Sequence, residues 1–197
     1  SATGGTGDDT ILGQGGADTL EGGDGDDLIY GGSDPLAVPD GLTIWTNDPG
    51  NIYRIDIADD GSAVRTLVGP AARAYGDIGM NVDGQLYGVS GGQLYLIDTG
   101  SAAETLVGTI GNYAGGNALS FGPDGMGYGS AGSSVYRFDP ESPGDSTLWW
   151  SDPNGGYPAG DFLFVGDRAY VSWVSAPAYQ TQLLELTLDG DGNVLGS

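Results

Sequence analysis

The sequence predicts an all-β fold in two parts: a short parallel β-roll over residues 1–33, then about four four-stranded β-propeller-type blades over residues 34–197. Three observations support this prediction. Nine-residue units follow one another in phase over residues 4–30, and a longer repeat of about 42 residues follows them. No segment has the periodicity of a helix. Glycine supplies 39 of the 197 residues, as expected for many tight turns between short strands.

The roll prediction depends on three units, GGTGDDTIL at 4–12, GQGGADTLE at 13–21 and GGDGDDLIY at 22–30. They share the pattern G-G-x-G-x-D-x-U-x, in which U is a large apolar residue, and they depart from it only at Gln14. Each unit predicts a turn of about six residues and a strand of about three. Ile11, Leu20 and Ile29 are then expected to point into a thin apolar core. Successive units lie on opposite sides of the coil, so unit one stacks on unit three.

An aspartate occupies the sixth position of every unit, as Asp9, Asp18 and Asp27. Stacking places Asp9 and Asp27 in one gap between turns. Carboxylates and loop carbonyls form an all-oxygen shell, which suits Ca²⁺ better than Zn²⁺ or Cu²⁺. Asp18 pairs either with a turn before residue 1 or with a degenerate fourth turn at residues 31–34. The alternative, a flexible Gly/Asp linker, is disfavoured by three in-phase matches.

Residues 4 to about 32 resemble the repeats-in-toxin (RTX) family of secreted bacterial proteins, whose repeats fold into a calcium-filled β-roll. The resemblance implies Ca²⁺ as the bound cofactor and Asp9, Asp18 and Asp27 as side-chain ligands. It also implies an extracellular location. It identifies no activity, because the repeats accompany toxins, proteases, lipases and adhesins alike. The candidate carbonyl donors are the flanking residues Gly5, Thr6, Gly7, Gly23, Asp24 and Gly25.

The composition excludes several classes of site and partner. The chain has no cysteine and no histidine, which excludes disulfides, thiolate metal sites and histidine-based catalytic triads. It carries 27 acidic and 5 basic residues, for a net charge of −22, so nucleic acids and anionic membranes are not expected partners. No apolar run is long enough to insert across a membrane. The chain begins without methionine, and we expect it to be part of a longer polypeptide.

The four-fold repeat is marked by similar strands that begin at Ile52, Leu94, Val135 and Leu183, spaced 42, 41 and 48 residues apart. Asp-Gly or Gly-Asp pairs precede each strand, and in the second unit they predict strands at 78–82, 85–90, 93–98 and 104–110. Four strands in such a repeat are typical of a propeller blade. The predicted blades span residues 34–70, 76–111, 117–151 and 160–197.

The pattern D-G-x-L-Y-G…L-Y-x-I-D at 83–98 resembles generic propeller blades of bacterial extracellular proteins. A β-sandwich or a continued solenoid is the structural alternative. The blades either close into a ring of four or form an arc whose exposed edges are covered by further chain or by other copies.

One polar residue precedes the first turn of each of the four blades. In a closed ring these four residues gather near one mouth of the channel. They either hold a cation or water cluster or bond their own loop backbones. They are Asp34, Asp77, Asn117 and Asp161.

Aromatic residues recur on the loops that enter these strands, at Tyr75, Tyr113 and Tyr157. Trp173 is predicted to lie in a longer loop of the fourth blade, because 13 residues separate Tyr170 from Leu183. These aromatics form either a platform for glycans or peptides or part of the packing between blades.

The sequence therefore predicts a secreted, calcium-binding module with a structural or adhesive role and no enzymatic activity. Its expected partners are Ca²⁺, other copies or further parts of the same polypeptide, and surface glycans or proteins. The alternatives are a propeller that binds glycans or peptides and an extracellular Ca²⁺-dependent hydrolase. Serine, threonine and tyrosine are present, but neither histidine nor lysine is available as a base.

Overall fold

The computed structural model describes residues 1–12, 19–30, 41–113, 116, 118–152, 155–165, 168–175, 180–189 and 192–196. The chain divides into two compact units, Ser1–Ile44 with Asp56–Val64, and Trp45–Ile55 with Arg65–Ser197. The predicted boundary after residue 33 lies outside the described residues and stays a prediction. Within the described ranges, no helix is long and apolar enough to cross a membrane.

The N-terminal segment forms a parallel coil of four strands: β1 (Ala2–Thr6), β2 (Thr10–Leu12), β3 (Leu20–Asp24) and β4 (Leu28–Tyr30). β1 pairs with β3 and β2 with β4, both in parallel. Ala2 lies opposite Leu20 and Ile11 opposite Ile29, so the register is 18 residues, or two units. The predicted stacking of unit one on unit three is confirmed.

The apolar core of this coil is thinner than predicted. Ile11 is buried, with 7% of its surface exposed, and Leu20 is half-buried. Ile29 was expected inside, but it is 43% exposed, and its neighbour Leu28 is 51% exposed. The prediction for Ile29 is wrong because, among the described strands, β4 pairs only with β2 and its outer side is left uncovered.

The remaining strands form four successive antiparallel sheets. The first contains β5 (Leu42–Asp48), β6 (Asn51–Ile57) and β7 (Ala63–Pro70). Four strands were predicted for this blade over residues 34–70, and residues 31–40 lie outside the described residues. The second sheet contains β8 (Asp77–Met80), β9 (Leu86–Ser90), β10 (Gln93–Ile97) and β11 (Glu104–Thr109), within two residues of the predicted bounds.

The third sheet contains β12 (Ala118–Phe121), β13 (Gly127–Ala131), β14 (Ser134–Phe138) and β15 (Thr147–Ser151), with a 3₁₀ turn at Pro143–Asp145 before β15. The fourth contains β16 (Gly156–Val165), β17 (Arg168–Ser175), β18 (Gln180–Leu188) and β19 (Val194–Gly196). In the last three sheets each strand pairs with its neighbour in sequence. This arrangement is a β-propeller of four blades, and the predicted fold class is confirmed.

The hydrophobic core lies between successive blades. One cluster joins the first and second blades around Ile52 and Tyr95, and a second joins the second and third blades around Leu94 and Phe138. The third, between the third and fourth blades, is built around Trp173. The inner strands β8, β12 and β16 lie side by side.

Candidate metal site

Hydrogen bonds join the stacked turns of units one and three at their aspartates. The backbone N–H of Asp9 donates a 2.9 Å hydrogen bond to Oδ1 of Asp27. The carbonyl oxygen of Asp9 accepts a hydrogen bond from the N–H of Leu28 at 2.8 Å. Oδ2 of Asp9 is buried and has no hydrogen-bond partner. A buried carboxylate oxygen without a partner is costly, so this atom is a candidate for coordinating a cation.

In units one and three, the first glycine makes room for the aspartate of the same unit. A Cβ at Gly4 would lie 2.7 Å from Oδ2 of Asp9. A Cβ at Gly22 would overlap the carboxylate of Asp27 in the same way. The spacing of glycine and aspartate in the repeat therefore follows from the position of the carboxylate against the backbone.

A second carboxylate, at a position that the repeat pattern leaves variable, also links the two turns. Oδ1 of Asp8 accepts a 2.9 Å hydrogen bond from the N–H of Asp26. This bond and the Asp9–Asp27 bond run in opposite directions, so each turn supplies one carboxylate and one amide. The signal in the sequence is an acidic residue at the fifth position of units one and three but not of unit two.

The candidate carbonyl donors are not all in turns, as the sequence analysis assumed. Gly5 and Thr6 lie in β1, opposite Gly23 and Asp24 of β3. The carbonyl of Asp24 already accepts a 2.6 Å hydrogen bond from the N–H of Gly7. The repeat extends its strands into the glycine segment because parallel pairing satisfies these backbone groups.

Only two of these candidates, Gly7 and Gly25, lie in the bend that leads to the aspartates. Both have positive φ angles, 106° and 138°. Asp18 lies outside the described residues.

The polar residues predicted near the channel mouth have different environments. Asp34 and Asn117 lie outside the described residues, and Asp161 is exposed in β16. Asp77 is largely buried: its Oδ1 accepts from the N–H of Ile78 at 2.8 Å and its Oδ2 from the N–H of Leu119 at 2.7 Å. Burial, assisted by the negative charge of Asp161, raises the pKa of Asp77 to about 6. Asp77 thus connects the inner strands of two blades through backbone hydrogen bonds.

Three of the four aromatics proposed as a ligand platform are buried, so they cannot form an exposed platform. Tyr75, Tyr113 and Trp173 are 7%, 2% and 0% exposed. Trp173 is not in a loop but in β17, where its ring lies 5.0 Å from that of Trp150 and its Nε1 donates to Asp152 at 2.8 Å. Tyr157, 50% exposed, is the only one of the four that remains accessible.

Glycines on the second strands explain why two of the tyrosines are buried. A Cβ at Gly88 would overlap the ring of Tyr75, and a Cβ at Gly129 would overlap that of Tyr113. The fourth blade has Val171 at this position, directly after Tyr170 as Gly88 directly follows Tyr87. Val171 is itself fully buried at this position, whereas Tyr157 is exposed.

Comparison with protein families identifies the N-terminal segment. Residues 3–34 match the model described as RTX calcium-binding nonapeptide repeat, in four copies. This segment is an RTX calcium-binding repeat. It is a minor part of the chain, and no curated protein sequence matches significantly.

The RTX repeats bind calcium, and the residues present fit that ion. The available donors are carboxylate and carbonyl oxygens, the ligands that Ca²⁺ prefers. Within the described part of the chain, no three acidic side chains form a cluster able to hold a metal ion. Backbone carbonyl oxygens beside Asp9 and Asp27 are further ligands of the type that Ca²⁺ accepts.

Solved structures similar to this chain are propeller proteins. An auxiliary nutrient binding protein from Bacteroides thetaiotaomicron has a TM-score of 0.52 at 14% identity, covering 79% of this chain and 40% of its own. A gluconolactonase from Xanthomonas campestris has a TM-score of 0.47 at 16% identity, covering 75% of this chain and 53% of its own. The virginiamycin B lyase from Staphylococcus aureus has a TM-score of 0.40 at 15% identity, covering 80% of this chain and 59% of its own. The chain thus spans about half the length of these proteins, and the likeness to the first of them, at 14% identity, shows the fold alone.

Proposed function

We propose that the chain is a calcium-dependent structural or adhesive module of a secreted or cell-surface bacterial protein. The observation that carries the proposal is the buried Oδ2 of Asp9, which has no hydrogen-bond partner. The turn that contains Asp9 stacks on the turn that contains Asp27. In this proposal Asp9 and Asp27 supply the carboxylates, and Asp18 serves the neighbouring turn. The flanking glycines, together with Thr6 and Asp24, are the candidate carbonyl donors.

Calcium concentration outside the cell suits such a site. Extracellular calcium modules bind with a Kd on the order of 10⁻⁴–10⁻³ M. For a Kd of about 1 mM and about 10 mM Ca²⁺, binding to the folded state alone adds about 1.4 kcal/mol of stability. The net charge of −22 opposes compaction, and bound Ca²⁺ relieves part of that repulsion. The chain would therefore be ordered outside the cell and less ordered where calcium is scarce.

The proposal does not assign an enzymatic activity. The chain offers no histidine or lysine as a base for its hydroxyl groups. Recognition of a glycan or peptide, the alternative role, would depend on Tyr157. A glycan array probed with the protein and with Tyr157→Ala tests that role, and equal binding of the two proteins would remove it.

Calcium titration by calorimetry and far-UV circular dichroism tests the proposal. In 10 mM CaCl₂ we expect more β-sheet signal than in EGTA, and we expect Asp9→Asn to weaken calcium affinity at least about tenfold, because a charged ligand becomes a neutral one. The matched control is Asp83→Asn, which removes the same charge from an exposed turn of the second blade. Spectra that do not change on chelation, or equal losses in the two variants, would refute the proposal.

A further inference from the structure

The outward face of the fourth blade repeats a surface that is buried in the second and third blades. Strand register places a tyrosine at the same position on the second strand of each of the last three blades. Gly79 pairs with Tyr87 in the second blade, Ser120 with Tyr128 in the third, and Leu163 with Tyr170 in the fourth.

Two of these tyrosines are covered by the next blade. The ring of Tyr87 lies 5.2 Å from that of Phe121, and Tyr87 is 5% exposed. The ring of Tyr128 lies 6.0 Å from that of Phe162, and Tyr128 is 2% exposed. Tyr170 occupies the same position but is only half-buried. Its face therefore lacks the neighbour that the other two have.

The repeat position of Ile52, Leu94, Val135 and Leu183 shows the difference more strongly. Ile52, Leu94 and Val135 are each 0% exposed, and each belongs to the cluster shared with the following blade. Leu183, in the same repeat position, is 69% exposed. Its strand partner is Ser172, as Val89 is the partner of Leu94.

Exposure of this kind is not a general property of leucines in the blades. Leu106 and Leu148 are 53% and 59% exposed, but both lie on the outermost strand of a blade, where no following blade covers them. Leu183 instead lies at the repeat position where the residues of the three preceding blades are fully buried. Its exposure marks a sheet face that is built for stacking.

The opposite face of the stack is present on the first blade. Ile97, Phe138 and Leu186 are 2%, 1% and 0% exposed, and each contacts the preceding blade. The same repeat position in the first blade is Ile55, and Tyr53 stands where the second blade has Tyr95. Both Tyr53 and Ile55 are half-buried.

We propose that a second copy of this chain docks here, with the Tyr170–Leu183 face of one copy against the Tyr53–Ile55 face of the other. The contact continues the stacking already made three times within the chain, and every copy carries both halves of it. Such a head-to-tail contact is heterologous, so it closes into a ring if the rotation allows and otherwise forms a filament.

The charges on the two faces are compatible with this contact. The fourth blade carries the ion pair Arg168–Glu185 at 3.0 Å, and the first carries Arg65 4.0 Å from Asp48. Each pair has both signs and adds no net charge at the junction. The whole chain carries −22, so copies repel at long range, and association should strengthen with added salt.

The inner strands of two copies cannot approach as closely as those within one chain. A Cβ at Gly79 would already lie 3.1 Å from the carbonyl oxygen of Leu119 on the next inner strand. Leu163 occupies the position of Gly79, and it is 44% exposed. The junction between copies is therefore wider on the inner side, and Leu163 adds apolar surface to it.

Sedimentation velocity of the full chain in CaCl₂, over a range of concentrations at 0.05 and 0.5 M NaCl, tests the proposal. We expect species of at least twice 20.0 kDa, more abundant at high salt. Leu183→Asp should weaken association at least about tenfold, whereas Leu148→Asp, the matched exposed leucine, should leave it unchanged. A protein that stays monomeric, or equal effects of the two substitutions, would overturn the proposal.

Mixing variants distinguishes a head-to-tail contact from a symmetric one. Leu183→Asp keeps the first-blade face, and Tyr53→Asp keeps the fourth-blade face, so neither should associate alone but the mixture should form heterodimers. Dimerisation of Tyr53→Asp alone, or no complex in the mixture, would overturn the head-to-tail arrangement. Circular dichroism checks folding, and Arg65→Glu replaces Tyr53→Asp if that variant unfolds, because the Arg65 side chain is 57% exposed.

Discussion

Replacement of Asp77 by asparagine should change the dependence of stability on pH. The pKa of Asp77 is raised from 3.8 to about 6, first by burial and then by the charge of Asp161. The unfolded chain therefore ionises this carboxyl at lower pH than the folded protein does. Its contribution to stability is greatest below pH 3.8, falls as the pH rises to about 6 and is constant above that.

The size of the effect follows from the two pKa values. A difference between 3.8 and about 6 corresponds to about 3 kcal/mol lost from the acid limit to neutral pH. Between pH 4 and pH 7 the expected loss is about 2 kcal/mol, because the unfolded carboxyl is already partly ionised at pH 4. Asparagine does not titrate, so the free energy of unfolding of Asp77→Asn should rise by about 2 kcal/mol relative to that of the natural protein between pH 4 and pH 7.

Urea unfolding of both proteins at several pH values, in the same CaCl₂, measures this difference. All other carboxyls are shared, so their titration cancels in the comparison. Asp161→Asn serves as a second variant, since it should lower the pKa of Asp77 and move the transition to lower pH. A stability difference between Asp77→Asn and the natural protein that does not vary with pH would refute the reasoning.

Two further substitutions test the roll and the packing between blades. Gly23→Ala should abolish the calcium-induced change in circular dichroism, because the φ angle of Gly23 is +108° and a Cβ there would overlap the carbonyl of Gly5. The control is Gly41→Ala, since Gly41 has a φ angle of +75° but open space around it. Arg73→Gln should lower the free energy of unfolding by about 1–2 kcal/mol, because Glu104, 5% exposed and 2.7 Å from Arg73, loses its charged partner. Glu104 keeps the hydrogen bond from the N–H of Ala72, and the Arg73 side chain is 36% exposed, so the loss is smaller than for a fully buried ion pair. Arg73→Gln combined with Glu104→Gln should recover part of that loss in urea unfolding, and no recovery would contradict this explanation.

The sequence was sufficient to predict the roll because its repeat is strict. Nine residues per half-turn require an 18-residue register, and Ile11 lies opposite Ile29 as expected. Exposure of Ile29 could not be predicted, because the repeat pattern does not say how many coils stack on one another. The Asp8–Asp26 bond was missed because the fifth position of the repeat is variable in the pattern.

The blades were predicted from turns and repeat length, and side-chain placement was less predictable. The segment from Tyr170 to Leu183 has the length of either a loop insertion or a longer hairpin. The structure shows the hairpin, with β17 and β18 paired from Arg168–Thr187 to Ser175–Gln180, so Trp173 is a buried strand residue. Sequence spacing cannot separate these alternatives, because they differ only in backbone pairing.

The sequence contains a signal for the burial of the loop tyrosines Tyr75 and Tyr113. Glycine directly follows Tyr87 and Tyr128, and these glycines make room for the rings of Tyr75 and Tyr113. The correspondence links a loop residue to a strand residue more than ten positions away. It becomes clear only when the strands are placed side by side.

The most direct test of the calcium site is an anomalous difference map from crystals grown in CaCl₂. We predict a calcium peak between the stacked turns, about 2.4 Å from Oδ2 of Asp9 and on the side of the gap that Asp27 lines. This peak should vanish in Asp9→Asn crystals. Well-ordered turns around Asp9 and Asp27 with no anomalous density between them would contradict the account.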